Sequence, residues 1–356
     1  MPIAPLYGHE SIRRRLRRMI DSGSLPGSIL FEGTRGIGKQ RLALWLAQVL
    51  VCERDEKPCG TCLACRSVLD LRHPDVFWVY PRPRLSDANA TADDVIEDLV
   101  EASSERLERN GFYPRPSGSE AIFLATTLTI VGKAAMSPAM GRRKIFIVGD
   151  AERMVAQEGS DQAANAFLKL LEEPPADTTI LLTSSEAGAL LPTVRSRVVS
   201  IRCAPLADTE MFAFVRDPNA KTALDALALP HGDAERVALA RGAPGDLLSV
   251  AALSSARAAA LKLLEASSTR GAERYATALT HGSAGARGAF SDMLAELNVL
   301  LRERAESALS AGDTEGAYAA ARAAAAVTEA QARADGNVSP QLTAAVLLDA
   351  LEGVPA

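Results

Sequence analysis

A glycine-rich segment between an apolar run and a helical run is the part of the sequence best suited to hold phosphate. Residues 28–31 are apolar, the segment GTRGIGK follows shortly after them, and a run with helical periodicity begins directly behind it. Glycines let successive backbone N–H groups point at a phosphate, and a helix dipole and a lysine add positive potential. This is the context of a P-loop, whose predicted phosphate-binding residues are Gly33, Gly36, Gly38 and Lys39.

Two positions that serve the metal ion in a P-loop ATPase differ here. Residue 40 is Gln, where the motif has a Ser or Thr hydroxyl that ligates Mg²⁺. The later apolar run KIFIV is followed by Gly149 and Asp150, where an ATPase carries two adjacent acids, one for the metal and one for water. If Asp150 takes the place of the second acid, the metal-side carboxylate is missing. Phosphate binding is therefore predicted, ATP binding is left open, and Mg²⁺-dependent hydrolysis is not expected.

Four cysteines within fourteen residues form a second group with chemistry: Cys52, Cys59, Cys62 and Cys65. In a reducing compartment such spacing indicates metal ligation rather than disulfides. Four thiolates complete the tetrahedral coordination of Zn²⁺ and leave no position for a reactive water, so a structural zinc site is predicted. An iron–sulfur cluster and four unrelated thiols are the alternatives. His73 is a competing ligand for which a structural role is favoured, and Cys203 is expected to be a small buried residue.

Composition limits the classes of protein to which the chain belongs. Its 356 residues, 47% hydrophobic and 23% charged, predict a folded protein of two or three domains. A net charge of −5 argues against nucleic acid wrapping the whole surface, although local basic patches are compatible with it. No apolar run has the length of a membrane helix, and the N-terminal residues lack the apolar centre of a secretory signal. We therefore expect a cytoplasmic protein.

Short apolar runs alternate with helical runs over the first 205 residues. This alternation predicts an α/β fold with a mostly parallel sheet, whose expected strands are 28–31, 76–79, 145–148, 180–183 and, more weakly, 198–201. Residues 82–120, here called the polar insertion, interrupt the pattern and are expected to be solvated. Beyond residue 205 only helical runs follow, many of them rich in Ala.

Several segments resemble the clamp-loader subunits of bacterial DNA polymerase III, a family of AAA+ proteins. Besides the P-loop and the cysteines, they are GHESIRRRL near the N-terminus, NAFLKLLEEPP, LLPTVRSRV and, more weakly, the C-terminal NVSPQLTAAVLLDAL. The resemblance implies an AAA+ P-loop core with an inserted zinc module, a helical lid and an all-α collar that joins subunits. The corresponding ranges are 1–205 for the core, 52–65 for the zinc module, 206–255 for the lid and 256–356 for the collar.

Within this family the departures resemble the delta-prime subunits, which do not hydrolyse ATP. Gly245 lies where catalytic subunits carry a sensor Arg in the lid, and Ser185 takes the first sensor position. The resemblance implies that Arg197, in the Ser-Arg pair of VRSRV, acts in trans on the ATP site of a neighbouring subunit, although Val198 replaces the usual Cys. Arg195 is its nearest competitor for that role. An ion pair with a local carboxylate is the alternative for Arg197.

The resemblance also implies partners. A non-hydrolysing subunit would stabilise a hetero-oligomeric ring with delta and gamma/tau-type ATPases, and the ring would load the sliding clamp on primer-template DNA. Structural zinc is the expected cofactor, and no membrane is involved. Two alternatives remain. One is a catalytically active gamma/tau-like ATPase in which Gln40 and Asp150 still bind Mg²⁺, and the other is a zinc-stabilised AAA+ adaptor outside replication.

Overall fold

The computed structural model describes residues 3–85, 90–112, 116, 120–154, 161–227, 229–269, 272–279, 287–335 and 339–354. The chain divides into two compact units. The first comprises Met1–Pro116 and Glu120–Ser249, and the second contains Val250–Ala356. Among the described residues, no helix is both long enough and apolar enough to cross a membrane.

The first unit is built on a five-stranded sheet whose strands are β1 (Ser28–Glu32), β2 (Val76–Val79), β3 (Lys144–Val148), β4 (Thr178–Ser184) and β5 (Val199–Arg202). Their order is β2-β3-β4-β1-β5, and every neighbouring pair is parallel. β1 therefore lies between two strands, with Leu30 beside Leu182 of β4 and Ser200 of β5. The predicted α/β core with a parallel sheet is confirmed.

The first unit also contains helices. They are α1 (Glu10–Asp21), α2 (Lys39–Val51), α3 (Leu63–Leu69), α4 (Ala92–Glu108), α5 (Leu124–Ala134), α6 (Asp161–Glu172), α7 (Pro192–Arg195), α8 (Asp208–Arg216), α9 (Pro218–Asp225), α10 (Asp233–Ala240) and α11 (Pro244–Leu247), with short 3₁₀ helices at Ala151–Met154 and Ala187–Ala189. One buried cluster joins the sheet residues Leu30, Phe146 and Leu182 to Ile130 of α5 and Phe167 of α6. Because alternate strand residues point to opposite faces, one set packs there while the other faces away. α2 contacts β1, β3 and β4, which fixes the helix that follows the phosphate loop.

The helix of the polar insertion buries one of its arginines. The guanidinium of Arg106 on α4 is buried, 3.1 Å from the ring centroid of Tyr80 and 4.3 Å from that of Trp78. Arg82 donates two hydrogen bonds to Asp98, of 2.9 and 2.8 Å. The buried residues of α4 are Val95, Ala102 and Arg106, and most of the others are exposed. An arginine can bury its stem and stack its planar head on aromatic rings, so this one side chain attaches α4 to the core. The expected solvation of the insertion stays a prediction. The residues at 86–89, 113–115 and 117–119 lie outside the described part.

The second unit is helical throughout its described residues. Its helices are α12 (Val250–Ser267), α13 (Ala272–Leu279), α14 (Arg287–Ser310), α15 (Thr314–Asp335) and α16 (Pro340–Ala350). Leu263, Phe290, Leu294 and Leu348 are buried in one core, and the small Ala323 of α15 lies in the same cluster. The predicted boundaries of a lid at 206–255 and a collar at 256–356 stay predictions. In the structure, α12 begins before residue 256.

Candidate functional site

The predicted phosphate loop connects β1 to α2. Gly38 caps the N-terminus of α2 with a φ of 93°, a conformation that residues with a Cβ rarely adopt. A Cβ on Gly33 would lie 2.3 Å from the carbonyl oxygen of Cys203, so only glycine fits at that position. The loop thus ends at the first amide groups of α2, the part of a helix that favours a phosphate.

Lys39, the first residue of α2, is bound within the loop itself. Its Nζ donates to the carbonyl oxygens of Gly33 and Thr34, each at 2.8 Å, and to Oγ of Ser185 at 3.0 Å. Burial lowers the pKa of Lys39, and the nearby carboxylate of Asp150 acts against that shift. An ammonium has three donors, and all three are in use. Lys39 must therefore release at least one of these oxygens to contact a phosphate.

Gln40 fills the space where a metal ligand is expected. Its Nε2 donates to Oδ2 of Asp150 at 3.2 Å, and its Oε1 accepts from Nε1 of Trp78 at 3.0 Å. A Cβ on Gly149 would lie only 2.5 Å from Oε1 of Gln40. The amide therefore lies directly against Gly149, and the glycine at 149 makes room for the glutamine at 40. The two departures noted separately in the sequence form one packed arrangement.

Glu152, which no sequence pattern singled out, is a buried acid in the same region. Its Oε1 accepts from the backbone N–H of Ser185 at 3.1 Å, and its Oε2 has no hydrogen-bond partner in the described part of the chain. Burial raises the pKa of Glu152 to about 7, and the neighbouring Asp150 acts in the same direction. An acid two residues after Asp150 was the available signal. Its burial is a tertiary property that the local sequence does not carry.

We expect Glu152→Gln to raise the free energy of unfolding above that of the unaltered chain, and to do so more at pH 8 than at pH 5. The pKa of Glu152 is about 7 in the folded chain, above its ordinary 4.5, so its stabilising contribution is complete below about pH 4.5 and is lost as the pH rises through 7. The gain should be on the order of 2 kcal/mol, because a difference of one in pKa between the folded and unfolded chain corresponds to about 1.4 kcal/mol. Urea unfolding of both chains at pH 5 and pH 8 measures it. The same pH dependence in both chains contradicts the expectation.

The short helix α11 lies over the phosphate loop. The backbone N–H of Gly245 donates to the carbonyl of Gly36 at 2.9 Å, and a Cβ on Gly245 would lie 2.8 Å from Cα of Gly36. The resemblance places a sensor arginine at Gly245 in catalytic subunits. In this arrangement any side chain at position 245 would collide with the loop backbone, so the close contact requires the glycine.

A cavity of about 160 Å³ adjoins the loop. Its walls include Gly36, Gly38 and Lys39 on one side and, on the other, the apolar side chains of Pro5, Leu6, Tyr7, Leu206, Phe214 and Leu248. An apolar wall beside a phosphate loop has the chemistry to hold a nucleotide, so ATP binding stays open.

The four predicted metal ligands lie together. The sulfur atoms of Cys52, Cys59, Cys62 and Cys65 are all within 4.8 Å of one another. The backbone N–H of Cys62 donates to Sγ of Cys59 at 3.3 Å, and that of Cys65 to Sγ of Cys62 at 3.4 Å. Such donors stabilise thiolates. Hydrogen bonds from the backbone of Cys62 and of Thr61 lower the pKa of Cys59 to about 6. The cluster can bind a metal ion such as zinc.

His73 does not belong to this group in the described part of the chain. It is buried, and its Nδ1 accepts from the backbone N–H of Asp75 at 3.1 Å. This is the structural role favoured for it from the sequence. Cys203 is likewise buried and lies apart from the four ligands.

Arg197 lies on the surface, two residues beyond the end of α7. Its Nε donates to Oε1 of Glu172 at 2.8 Å, its Nη2 contacts the same oxygen, and its Nη1 donates to the carbonyl of Thr193 at 2.7 Å. The side chain of Arg197 is 29% exposed and that of Glu172 is 45% exposed. The pairing with a local carboxylate is thus present in the isolated chain. Arg195, the competing residue, is exposed. Neither arginine lines the cavity beside the phosphate loop.

A parallel sheet with a phosphate loop after its β1 strand, together with a four-cysteine cluster, defines an AAA+ P-loop core carrying a metal-binding module. Residues 8–207, more than half of the chain, match the family model described as DNA polymerase III, delta subunit. The chain belongs to this family, and the predicted likeness to delta-prime clamp-loader subunits is confirmed.

Relatives found by sequence comparison agree with this assignment. The delta' subunit of Pseudomonas aeruginosa is 32% identical over 223 residues, which cover 60% of this chain and 52% of that protein. The delta' subunit of Bacillus subtilis is 28% identical over 55% of this chain and 47% of that protein. The tau subunit of Escherichia coli is 26% identical over 54% of this chain and 24% of that protein. The chain thus spans about half the length of these delta' relatives, and less of tau. Among solved structures, a gamma subunit-related protein from Thermotoga maritima covers 97% of this chain and 98% of its own at 17% identity, with a TM-score of 0.33.

Proposed function

We propose that this chain is a non-hydrolysing subunit of the DNA polymerase III clamp loader, which stabilises the loader ring and supplies Arg197 to the ATP site of a neighbouring subunit. The observation that carries the proposal is the position of the Gln40 amide between Trp78 and Asp150, against Gly149. One neutral side chain takes up the space of both metal-side groups. Without a hydroxyl at 40 or a carboxylate at 149, Mg²⁺ has lost two of the protein groups that hold it in P-loop ATPases.

The role of Arg197 follows from its chemistry and its setting. A guanidinium stays charged and binds phosphate oxygens with two parallel hydrogen bonds. Placed at a neighbour's γ-phosphate, it neutralises the charge that develops during transfer, which in well-studied NTPases raises the rate by about 10³–10⁵. A half-exposed ion pair such as Arg197–Glu172 contributes only about 0–1 kcal/mol, so exchanging Glu172 for a phosphate costs little.

The proposed partners are the delta and gamma/tau-type subunits, with the sliding clamp and primer-template DNA reached through the complex. A loader reconstituted with and without this chain tests the proposal. With the chain, we expect a stable ring whose ATPase is stimulated by primed DNA and the clamp. A loader that forms and turns over equally well without the chain contradicts it.

We further propose that the four-cysteine cluster binds one Zn²⁺ in a structural role, and we expect Cys65→Ser to lower both the zinc content and the thermal midpoint. A closed four-thiolate site contributes directly to folding, so a fall of about 10 °C is expected for a domain of this size. Elemental analysis and a thermal melt measure the two effects. Cys203→Ser is the control, because it removes a buried thiol outside the cluster and should keep one zinc per chain. Unchanged zinc and an unchanged melt in Cys65→Ser would show the cluster is not a zinc site.

A further inference from the structure

Helix α1 carries a concentration of arginines that the proposed function does not use. Its sequence ESIRRRLRRMID holds five arginines against two acids, a surplus of three positive charges in a chain whose net charge is −5. Only Leu16 is buried on this helix, so most of its surface is available. None of these arginines lines the cavity beside the phosphate loop.

The arginines repel one another, and the structure compensates only part of the repulsion. Like charges one helical turn apart, such as Arg14 and Arg18, destabilise a helix. A single carboxylate, that of Glu10, lies 3.2 Å from Arg13 and 3.8 Å from Arg14. Among the described residues, no carboxylate lies within ion-pair distance of Arg18. Uncompensated charge of one sign, retained at a cost in stability, indicates a surface that meets a polyanion.

Three of these arginines lie together on α1. Ser11, Arg14, Arg17 and Arg18 line one open cleft. Arg14 and Arg18 are four residues apart, which is about 6 Å along a helix axis. Guanidinium groups at this spacing can each take one phosphate by two parallel hydrogen bonds. We call this surface, formed by Arg14, Arg17 and Arg18, the arginine face.

We propose that the arginine face binds the phosphate backbone of duplex DNA without regard to sequence. Contacts to phosphates carry no sequence information, and helix α1 has no aromatic residue on which an unpaired base could stack. The ring of Trp45 is 5% exposed and lies under Arg13 and Arg17, whose guanidinium carbons are 5.0 and 5.6 Å from its centroid. Charge without a stacking platform favours duplex over single-stranded DNA, and DNA is the polyanion met by a member of a DNA polymerase family.

The test measures the affinity of the full chain for a labelled DNA duplex of about 20 base pairs by fluorescence anisotropy, between about 50 and 200 mM salt. We expect Arg14→Gln/Arg18→Gln to weaken binding about tenfold at the lower salt and to reduce the slope of log K against log salt by about 2. The matched control is Arg302→Gln/Arg322→Gln, which removes two exposed arginines from helices of the second unit. It should change the affinity less than twofold, about the level expected from net charge alone.

Further arms separate the alternatives. Arg14→Lys/Arg18→Lys keeps the charge and should retain most of the salt slope. Retained binding in the lysine variant shows that substitution at these two positions does not by itself unfold the chain. Equal weakening by the control variant, or no duplex binding by the unaltered chain, overturns the proposal. Tighter binding of a single strand of the same length overturns it too, and so does preference for a polyglutamate peptide over the duplex. These results leave the proposed roles of Gln40 and Arg197 untouched, since neither residue is in the arginine face.

Discussion

Arg197→Ala is expected to lower the DNA-stimulated ATPase rate of the reconstituted loader by more than tenfold while the chain itself folds normally. The fold should tolerate the change because the Arg197–Glu172 pair is half-exposed and contributes about 1 kcal/mol at most. The ATPase rate should fall, because the transition state in the neighbouring subunit would lose a positive charge. In the best-known NTPases such a charge raises the rate by about 10³–10⁵. Steady-state turnover with primed DNA and the clamp measures the effect.

Arg195→Ala is the matched control for that experiment. Arg195 is exposed and lies two residues earlier in the chain, so it tests the same surface without the same side chain. Its removal should leave turnover within about twofold of the unaltered loader. Full DNA-stimulated turnover in Arg197→Ala would contradict the trans-acting role, and a loss confined to Arg195→Ala would transfer that role to Arg195.

Gly149→Asp is expected to destabilise the chain by about 2–4 kcal/mol. The new Cβ would lie 2.5 Å from Oε1 of Gln40, so the amide would have to leave its place between Trp78 and Asp150. The added carboxylate would also adjoin Asp150 and the buried Glu152, where like charges are already close. Urea unfolding measures the loss, and a variant as stable as the parent contradicts the packing of Gln40 against Gly149.

Gln40→Thr should relieve much of that penalty. Threonine is shorter, so in the Gln40→Thr/Gly149→Asp double variant the aspartate has room. We expect the two substitutions to be non-additive, with a coupling energy of about 1–2 kcal/mol in favour of the double variant. Strict additivity in this double-mutant cycle would mean that Gln40 and Gly149 do not constrain each other.

The sequence predicted the sheet well because apolar runs of strand length are local signals. All five strands formed where they were expected, and no end differs from its expected position by more than two residues. The spacing of the four cysteines and the glycines of the phosphate loop are equally local, and the structure brings each set together.

What the sequence could not supply were contacts between distant residues. Gln40 and Gly149 stood out one at a time as missing metal ligands, yet their contact depends on the order of the strands. Glu152 is an ordinary acid until its burial is known. Arg106 in the polar insertion stacks on Tyr80, an interaction that composition does not reveal.

The proposed function requires that this chain does not hydrolyse ATP, and single-turnover hydrolysis by the purified chain with Mg²⁺ tests that requirement. A filter assay of nucleotide binding should accompany it, because the cavity beside Lys39 leaves binding open. We predict no hydrolysis above the buffer blank, with or without weak binding. Clear hydrolysis that is abolished by Lys39→Ala would contradict the proposed function. It would mean that Gln40 and Asp150 hold Mg²⁺ well enough for catalysis.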